Sequence, residues 1–312
     1  MALVSHEAAQ KGRLYLSVLG RAAQRLWGRD VMLYVGGVSF FALLAVFPAL
    51  SLLIGVYSSV FTPDQAAEQA QALSHLLPHG ARHLFEGEMT RLSQASARTV
   101  STQSALALII GAYAAHRGFK ALLAGLTFIH DEDEPHGFLR FNVLAFVVAV
   151  ASFALATVVS GAIIAARLLK SAAAANAPSG EVGWFDSEWL WAGFGLTFGL
   201  TCIYRYAMSH SGPVIWRASV IGGVAAATMS LIASWASAFY VDQIAQLGAT
   251  YGSVATVIVF LIWLSWNVNA VFFGGAMATE VEIALHEYRA KRRADYQDGE
   301  VSLSSPSRAF RP

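Results

Sequence analysis

The sequence holds a single cysteine, Cys202, among 312 residues. A lone thiol excludes an intrachain disulfide and any Cys-x-x-Cys metal or redox motif. Charge is scarce as well. Asp, Glu, Lys and Arg together make up 13% of the chain, against the ~25% usual in soluble domains. So thin a supply cannot clothe a water-soluble globule of this length. The net charge is +1, which excludes a global field for nucleic acid. No Gly-x-x-x-x-Gly-Lys-Ser/Thr segment is present to cradle nucleotide phosphates.

What is abundant is apolar surface. Hydrophobic residues are 56% of the chain and the mean hydropathy is +0.51, values that exclude intrinsic disorder and point to the membrane. Six long apolar stretches follow a basic segment over 1–30: about Val31–Phe61, Ser104–Ile129, Phe141–Ala166, Trp189–Met208, Val214–Tyr240 and Tyr251–Ala278. Each is near or above the ~20 residues a helix needs to cross the hydrocarbon. None alternates as a barrel strand would. The expectation is an all-α polytopic membrane protein of six transmembrane helices, with a membrane domain over 31–280 and a partly disordered cytoplasmic tail over 281–312. The segment 1–30 lacks a short apolar core followed by a small-residue cleavage site, so no removable signal peptide is read.

Six spans place both termini on one side, and the basic residues choose the side. Of 21 Lys and Arg, only Arg82, Arg91, Arg98, Arg167 and Lys170 fall in the alternate loops. The positive-inside rule makes both termini cytoplasmic. The first outer loop, about Thr62–Gln103, carries apolar residues spaced for two short amphipathic helices on either side of Pro78. In the third loop and just beyond it, Trp184, Trp189 and Trp191 cluster where indoles favour the membrane edge.

Three segments carry a family resemblance. The run Gly36-Gly37-Val38-Ser39-Phe40-Phe41-Ala42-Leu43-Leu44-Ala45-Val46-Phe47-Pro48 resembles the first span of the YihY/BrkB family of bacterial inner-membrane proteins. Arg117-Gly118-Phe119-Lys120-Ala121-Leu122, leading into Asp131-Glu132-Asp133-Glu134, is similar to its second span and acidic loop. Gly248-Ala249-Thr250-Tyr251-Gly252-Ser253, running through Trp263-Leu264 to Glu280, is similar to its sixth span. The resemblance covers roughly 20–290 and implies an inner-membrane protein with six spanning helices. It implies no settled activity. Members have carried the label ribonuclease BN, regarded as a misassignment, and the family is associated with serum resistance and envelope integrity.

Several residues are candidates for chemistry. Arg117 and Lys120 are three apart, on one helix face. An ionisable group inside a span costs at least ~2.5 kcal/mol, so the pair either faces a cavity as an anion site or snorkels toward the cytoplasm. The contiguous carboxylates Asp131, Glu132, Asp133 and Glu134 lack the spread of a calcium loop. They form a solvated turn or an ion-pair latch to Arg117, Lys120 or Arg140. Pro48 deprives the first span of one backbone hydrogen bond and predicts a kink. With Gly36 and Gly37 nearby, it also allows a discontinuous helix. Gly195 and Gly199 have small-xxx-small spacing for close helix packing. Asn267 and Asn269 are read as cavity-lining or interhelical amides. His75, His79 and His83 recur every fourth residue, but Pro78 and Gly80 interrupt the helix that zinc ligation would need.

Two functions fit these residues. One is translocation of a lipid or other anionic envelope compound, with Arg117, Lys120, Asn267 and Asn269 meeting the cargo. The alternative is a non-transporting scaffold or adaptor for envelope integrity, bound to membrane lipids and to copies of itself or an envelope protein. A ribonuclease would need converging metal-binding carboxylates or histidines and a basic aromatic groove for RNA. The one cytoplasmic acidic cluster, Asp131–Glu134 with His130 and His136 beside it, comes with neither a nuclease motif nor such a groove, and no cofactor, metal or nucleic-acid partner is expected.

Overall fold

The computed structural model describes residues 17–27, 31–58, 102–130, 137–174, 188–208, 212–243 and 254–304. They form helices without strands. In chain order these are α1 (Ser17–Trp27), α2 (Val31–Ser58), α3 (Thr102–Ile129), α4 (Phe138–Ala174), α5 (Glu188–Tyr206), α6 (Trp216–Gln243) and α7 (Ala255–Ser304).

Three of them, α4, α6 and α7, are long and apolar enough to cross a membrane by length and composition. A fourth span results if α1 and α2, which meet at 73°, act as one bent element. α3 carries His116, Arg117 and Lys120 within its apolar run. α5, Glu188–Tyr206, has 19 residues and carries Arg205 in its last turn. The candidate amphipathic helices of the first outer loop lie outside the described residues.

α7 is the central helix, packing against α6, α2, α3 and α5. Around it run the neighbouring pairs α2–α3, α3–α4, α4–α5 and α5–α6. Val268, Phe272 and Ala276 of α7 meet Val35, Leu126, Tyr204 and Ala226 in the principal core. A smaller core joins Leu123, Ala145 and Ala207 of α3, α4 and the α5 end. The exterior is apolar too: Leu33, Ile109, Phe146, Val158, Phe194 and Trp235 are all exposed. A surface of this kind calls for hydrocarbon as its solvent.

Glycines set the closest approaches. A Cβ on Gly222 would lie 2.6 Å from the Gly274 carbonyl oxygen, so α6 and α7 touch backbone to backbone. Gly195 and Gly199 of α5 face Val159 and Leu155 of α4, within the monomer. Gly111 of α3 receives the ring of Pro48.

One expectation is corrected. α2 is continuous through Gly36, Gly37 and Pro48 rather than broken. The bend instead comes earlier, between Trp27 and Val31. A helix keeps its other bonds around one missing N–H when neighbours pack on it, and Gly111 provides that packing. α7 runs on as a helix past its apolar part as far as Ser304. Its composition explains the extension: Ala, Glu, Lys and Arg are strong helix formers, and Glu287 and Lys291 stand in the favoured i, i+4 order.

Candidate functional site

The basic pair of α3 divides between two environments. Lys120 Nζ donates to Asn142 Oδ1 of α4 at 2.9 Å and lies 5.7 Å from the centre of the Phe141 ring. It is half-buried between the two helices. Arg117 is exposed, its guanidinium carbon 5.7 Å from the Tyr113 ring centre. The helix explains the placement. Gly118 packs on Phe41 of α2 and Leu126 lies in the core. At 3.6 residues per turn, position 117 then falls on the outer face of α3. The side chain of Arg117 therefore lies on the bundle's surface, close to the α3–α4 seam rather than in its middle.

Asn267 and Asn269 join other elements. Asn267 Nδ2 donates to its own helix at Trp263 O, 2.8 Å, and Asn267 Oδ1 accepts from Ser230 of α6. Trp263 Nε1 donates to Ser234 Oγ at 3.1 Å, completing an α6–α7 polar seam. Asn269 Nδ2 returns to Ser265 O at 2.9 Å, while Ser265 Oγ donates to Ser39 Oγ of α2 at 3.3 Å. The structure thus does not unite the two amides with the basic pair. Arg140 is exposed at the start of α4, and Asp131–Glu134, the other half of the expected latch, lie outside the described residues. So do His75, His79 and His83. Among the described residues, no group of three or more His, Cys, Asp or Glu is placed to hold a metal.

The most constructed polar cluster is one the sequence reading missed. Glu280 of α7 is buried, and two arginines of α1 converge on it. Arg21 Nε donates to Oε2 at 2.8 Å and Arg25 Nε to Oε1 at 2.9 Å. Arg25 Nη2 lies 2.8 Å from Oε1. Arg25 Nη1 also donates to Ile129 O, 3.0 Å away, at the last carbonyl of α3. A cation at a helix C-terminus satisfies an orphan carbonyl and opposes the negative end of the dipole. One arginine thus ties α1, α3 and α7. The signal was present in the sequence: Glu280 sits between Thr279 and Val281 at the end of an apolar run, and a carboxylate there needs a partner.

Next to it, Glu282 Oε1 accepts from Ile215 N at 2.9 Å, capping the start of α6 from outside. Thr279 Oγ1 donates to Gly275 O at 3.1 Å, so toward His130 Nδ1, 3.0 Å away, it acts as acceptor. His130 Nε2 then points to Glu282 Oε2 at 3.8 Å. Arg205 closes the α5–α6 turn, donating from Nη1 to Val214 O at 2.6 Å. Its guanidinium lies 5.2 and 5.1 Å from the Tyr206 and Trp216 ring centres. In chemical terms this end of the bundle is an ionic clasp.

Comparison with known proteins supplies the family. The family model described as Virulence factor BrkB matches residues 22–298. A UPF0761 membrane protein of Methylibium petroleiphilum is 23% identical over 289 residues, covering 91% of this chain and 67% of that protein. Another UPF0761 membrane protein, from Nitrosospira multiformis, is 34% identical over 76 residues, 24% of this chain. That match spans only 18% of the Nitrosospira protein's length. YfkH of Bacillus subtilis, named as ribonuclease-like, is 22% identical over 254 residues, covering 80% of this chain and 88% of its own. No solved structure matches. With its helical bundle, its apolar exterior and a family match across most of its length, the chain is a membrane protein that belongs to the BrkB virulence factor family.

Proposed function

We propose that this chain is a six-span protein of the bacterial inner membrane, both termini cytoplasmic, that translocates a lipid or other anionic envelope compound. The route runs along the α3–α4 seam. The observation that carries the reading is the exposed guanidinium of Arg117, one turn from the half-buried ammonium of Lys120, on an apolar helix. A cation on a membrane-facing surface gains most from an anionic partner, and a lipid phosphate fits a guanidinium as a two-point acceptor. Asn142 adds a neutral polar group at the same seam.

The packed centre favours this lateral route over a central one. α7 fills the middle with Val268, Phe272 and Ala276, and its backbone contact with α6 at Gly222 and Gly274 leaves little room for parting. That same packing favours the second reading, a rigid scaffold or adaptor for envelope machinery. The two separate on Arg117: a scaffold tolerates Arg117→Ala, whereas a translocator loses flux.

Topology is tested by fusing a periplasm-active reporter after Arg311, which stays silent if the C-terminus is cytoplasmic. Strong reporter activity there overturns the orientation. Transport is tested in proteoliposomes by lipid scrambling and anion flux, comparing the intact protein with Arg117→Ala and Lys120→Ala.

A further inference from the structure

α1 has two apolar stripes, and the bundle covers only one. Val18 and Ala22 are buried, and Leu26 packs against the same core. The adjoining stripe, Leu19, Ala23 and Trp27, repeats every fourth residue on a neighbouring face. Leu19 is exposed, and Trp27 is 80% exposed. Past Gly28-Arg29-Asp30 in the sequence, exposed apolar side chains resume in the first turn of α2, where Met32 is 65% and Leu33 78% exposed. Phe40 and Leu44 extend that exposed side along α2.

Three observations identify what covers the patch. First, the helix that follows it in the chain, α2, is itself apolar and exposed at Met32, Leu33, Phe40 and Leu44. Second, α1 meets α2 at 73°, so an upright α2 lays α1 nearly flat in the membrane plane. Third, the chemistry is that of an interfacial helix. An indole sits at the end of the apolar stripe, and Arg21 is half-exposed beside it, with Ser17 and Gln24 on the polar side. Lys11, Arg13 and Arg29 flank the helix in sequence. Amphipathic helices with such a pattern bind at the boundary of headgroups and acyl chains, helped by anionic lipid.

We propose that α1 is an interfacial helix, seated by its Leu19–Ala23–Trp27 stripe on the bilayer surface and held in register by the Arg21 and Arg25 clasp on Glu280. The clasp fixes the roll of α1 about its own axis. With Arg25 on Glu280 and the Ile129 carbonyl, Trp27 is turned toward the hydrocarbon boundary. The occupant is the lipid surface of an anionic leaflet. This inference rests on membrane residence and is independent of transport.

The test uses the full chain in nanodiscs of phosphatidylglycerol and phosphatidylcholine. Nitroxide labels are placed at Leu19→Cys, Gln24→Cys and Trp27→Cys in a Cys202→Ser background. Interfacial seating predicts an oxygen-to-nickel-chelate accessibility ratio several-fold higher at 19 and 27 than at 24. Equal, nickel-accessible labels at all three positions overturn it. Dipolar broadening between copies at position 27 also overturns it, assigning the stripe to a second copy of the chain. A readout without cysteine variants is quenching by brominated lipid: the Trp27 contribution, obtained by difference from Trp27→Phe, is strongly quenched if the account holds. An unquenched difference overturns it.

Discussion

Replacing Glu280 with alanine removes the one carboxylate that two arginines share. The cost follows from burial. The Glu280 side chain is 5% exposed and that of Arg25 14%, so this pair has little access to water. Breaking a buried pair from one side typically costs about 3–5 kcal/mol, because the remaining charge is stranded. Arg25 keeps its bond to Ile129 O, which places the expected loss at the lower end, about 3 kcal/mol. Arg21 is 46% exposed, and its ion pair is worth about 0–1 kcal/mol. The order of destabilisation is therefore Glu280→Ala and Arg25→Ala together, well ahead of Arg21→Ala. A 3 kcal/mol loss lowers the folded-to-unfolded ratio by about a hundredfold or more. Reversible unfolding of purified protein in mixed micelles reads it. The double variant Arg25→Ala/Glu280→Ala should cost less than the sum of the singles by about 1–3 kcal/mol, the coupling expected of contacting charges. A loss below about 1 kcal/mol for Glu280→Ala, or strict additivity, would refute the clasp as a buried ionic tie.

Other outcomes follow from packing. Gly111→Ala places a methyl against the Pro48 ring and should destabilise the α2–α3 pair by about 1–3 kcal/mol, measured by the same unfolding assay. Gly36→Ala meets open space and should be neutral or stabilising by up to about 1 kcal/mol. Equal effects of the two substitutions would contradict the notch. Asn267→Ala loses its bond to Ser230 and should cost about 0.6–1.7 kcal/mol. Asn269→Ala, whose amide returns to its own helix, should cost less, and a reversed order argues against the α6–α7 polar seam.

The helical class was legible because hydropathy is a local property. Each apolar run that begins near Val31, Phe141 or Val214 carries its own statement about helix length. Pairing across the chain was not legible. Glu280 lies 259 residues from Arg21 and 255 from Arg25, and no periodicity links them. From sequence, Glu280 and Glu282 pair most simply with the nearby basic tail. In the structure Glu280 takes its arginines from α1, while Glu282 caps α6. Position 117 shows a second limit. Its spacing from Lys120 gives a common face, but which way that face turns depends on α2 docking at Gly111 and Gly118. The Pro48 notch has the same character: a proline predicts a kink from local geometry, yet its surroundings depend on a glycine 63 positions along the sequence. The length of α7 was legible only in part: hydropathy marks its apolar run, whereas the polar stretch beyond it is held helical by alanine, glutamate and arginine propensity.

The central claim is that the cations of α3 meet an anionic cargo at the membrane face of the bundle. Its most direct test is the rate of fluorescent phospholipid scrambling, with anion flux alongside, in proteoliposomes carrying the intact chain, Arg117→Ala or Lys120→Ala. Equal insertion is verified by protease protection. The account predicts movement by the intact chain, a loss of tenfold or more with Arg117→Ala (about 1.4 kcal/mol of lost cargo contact), and only partial recovery with Arg117→Lys, which keeps the charge but not the two-point contact. Undiminished movement by a correctly inserted Arg117→Ala chain, or none by the intact one, contradicts it.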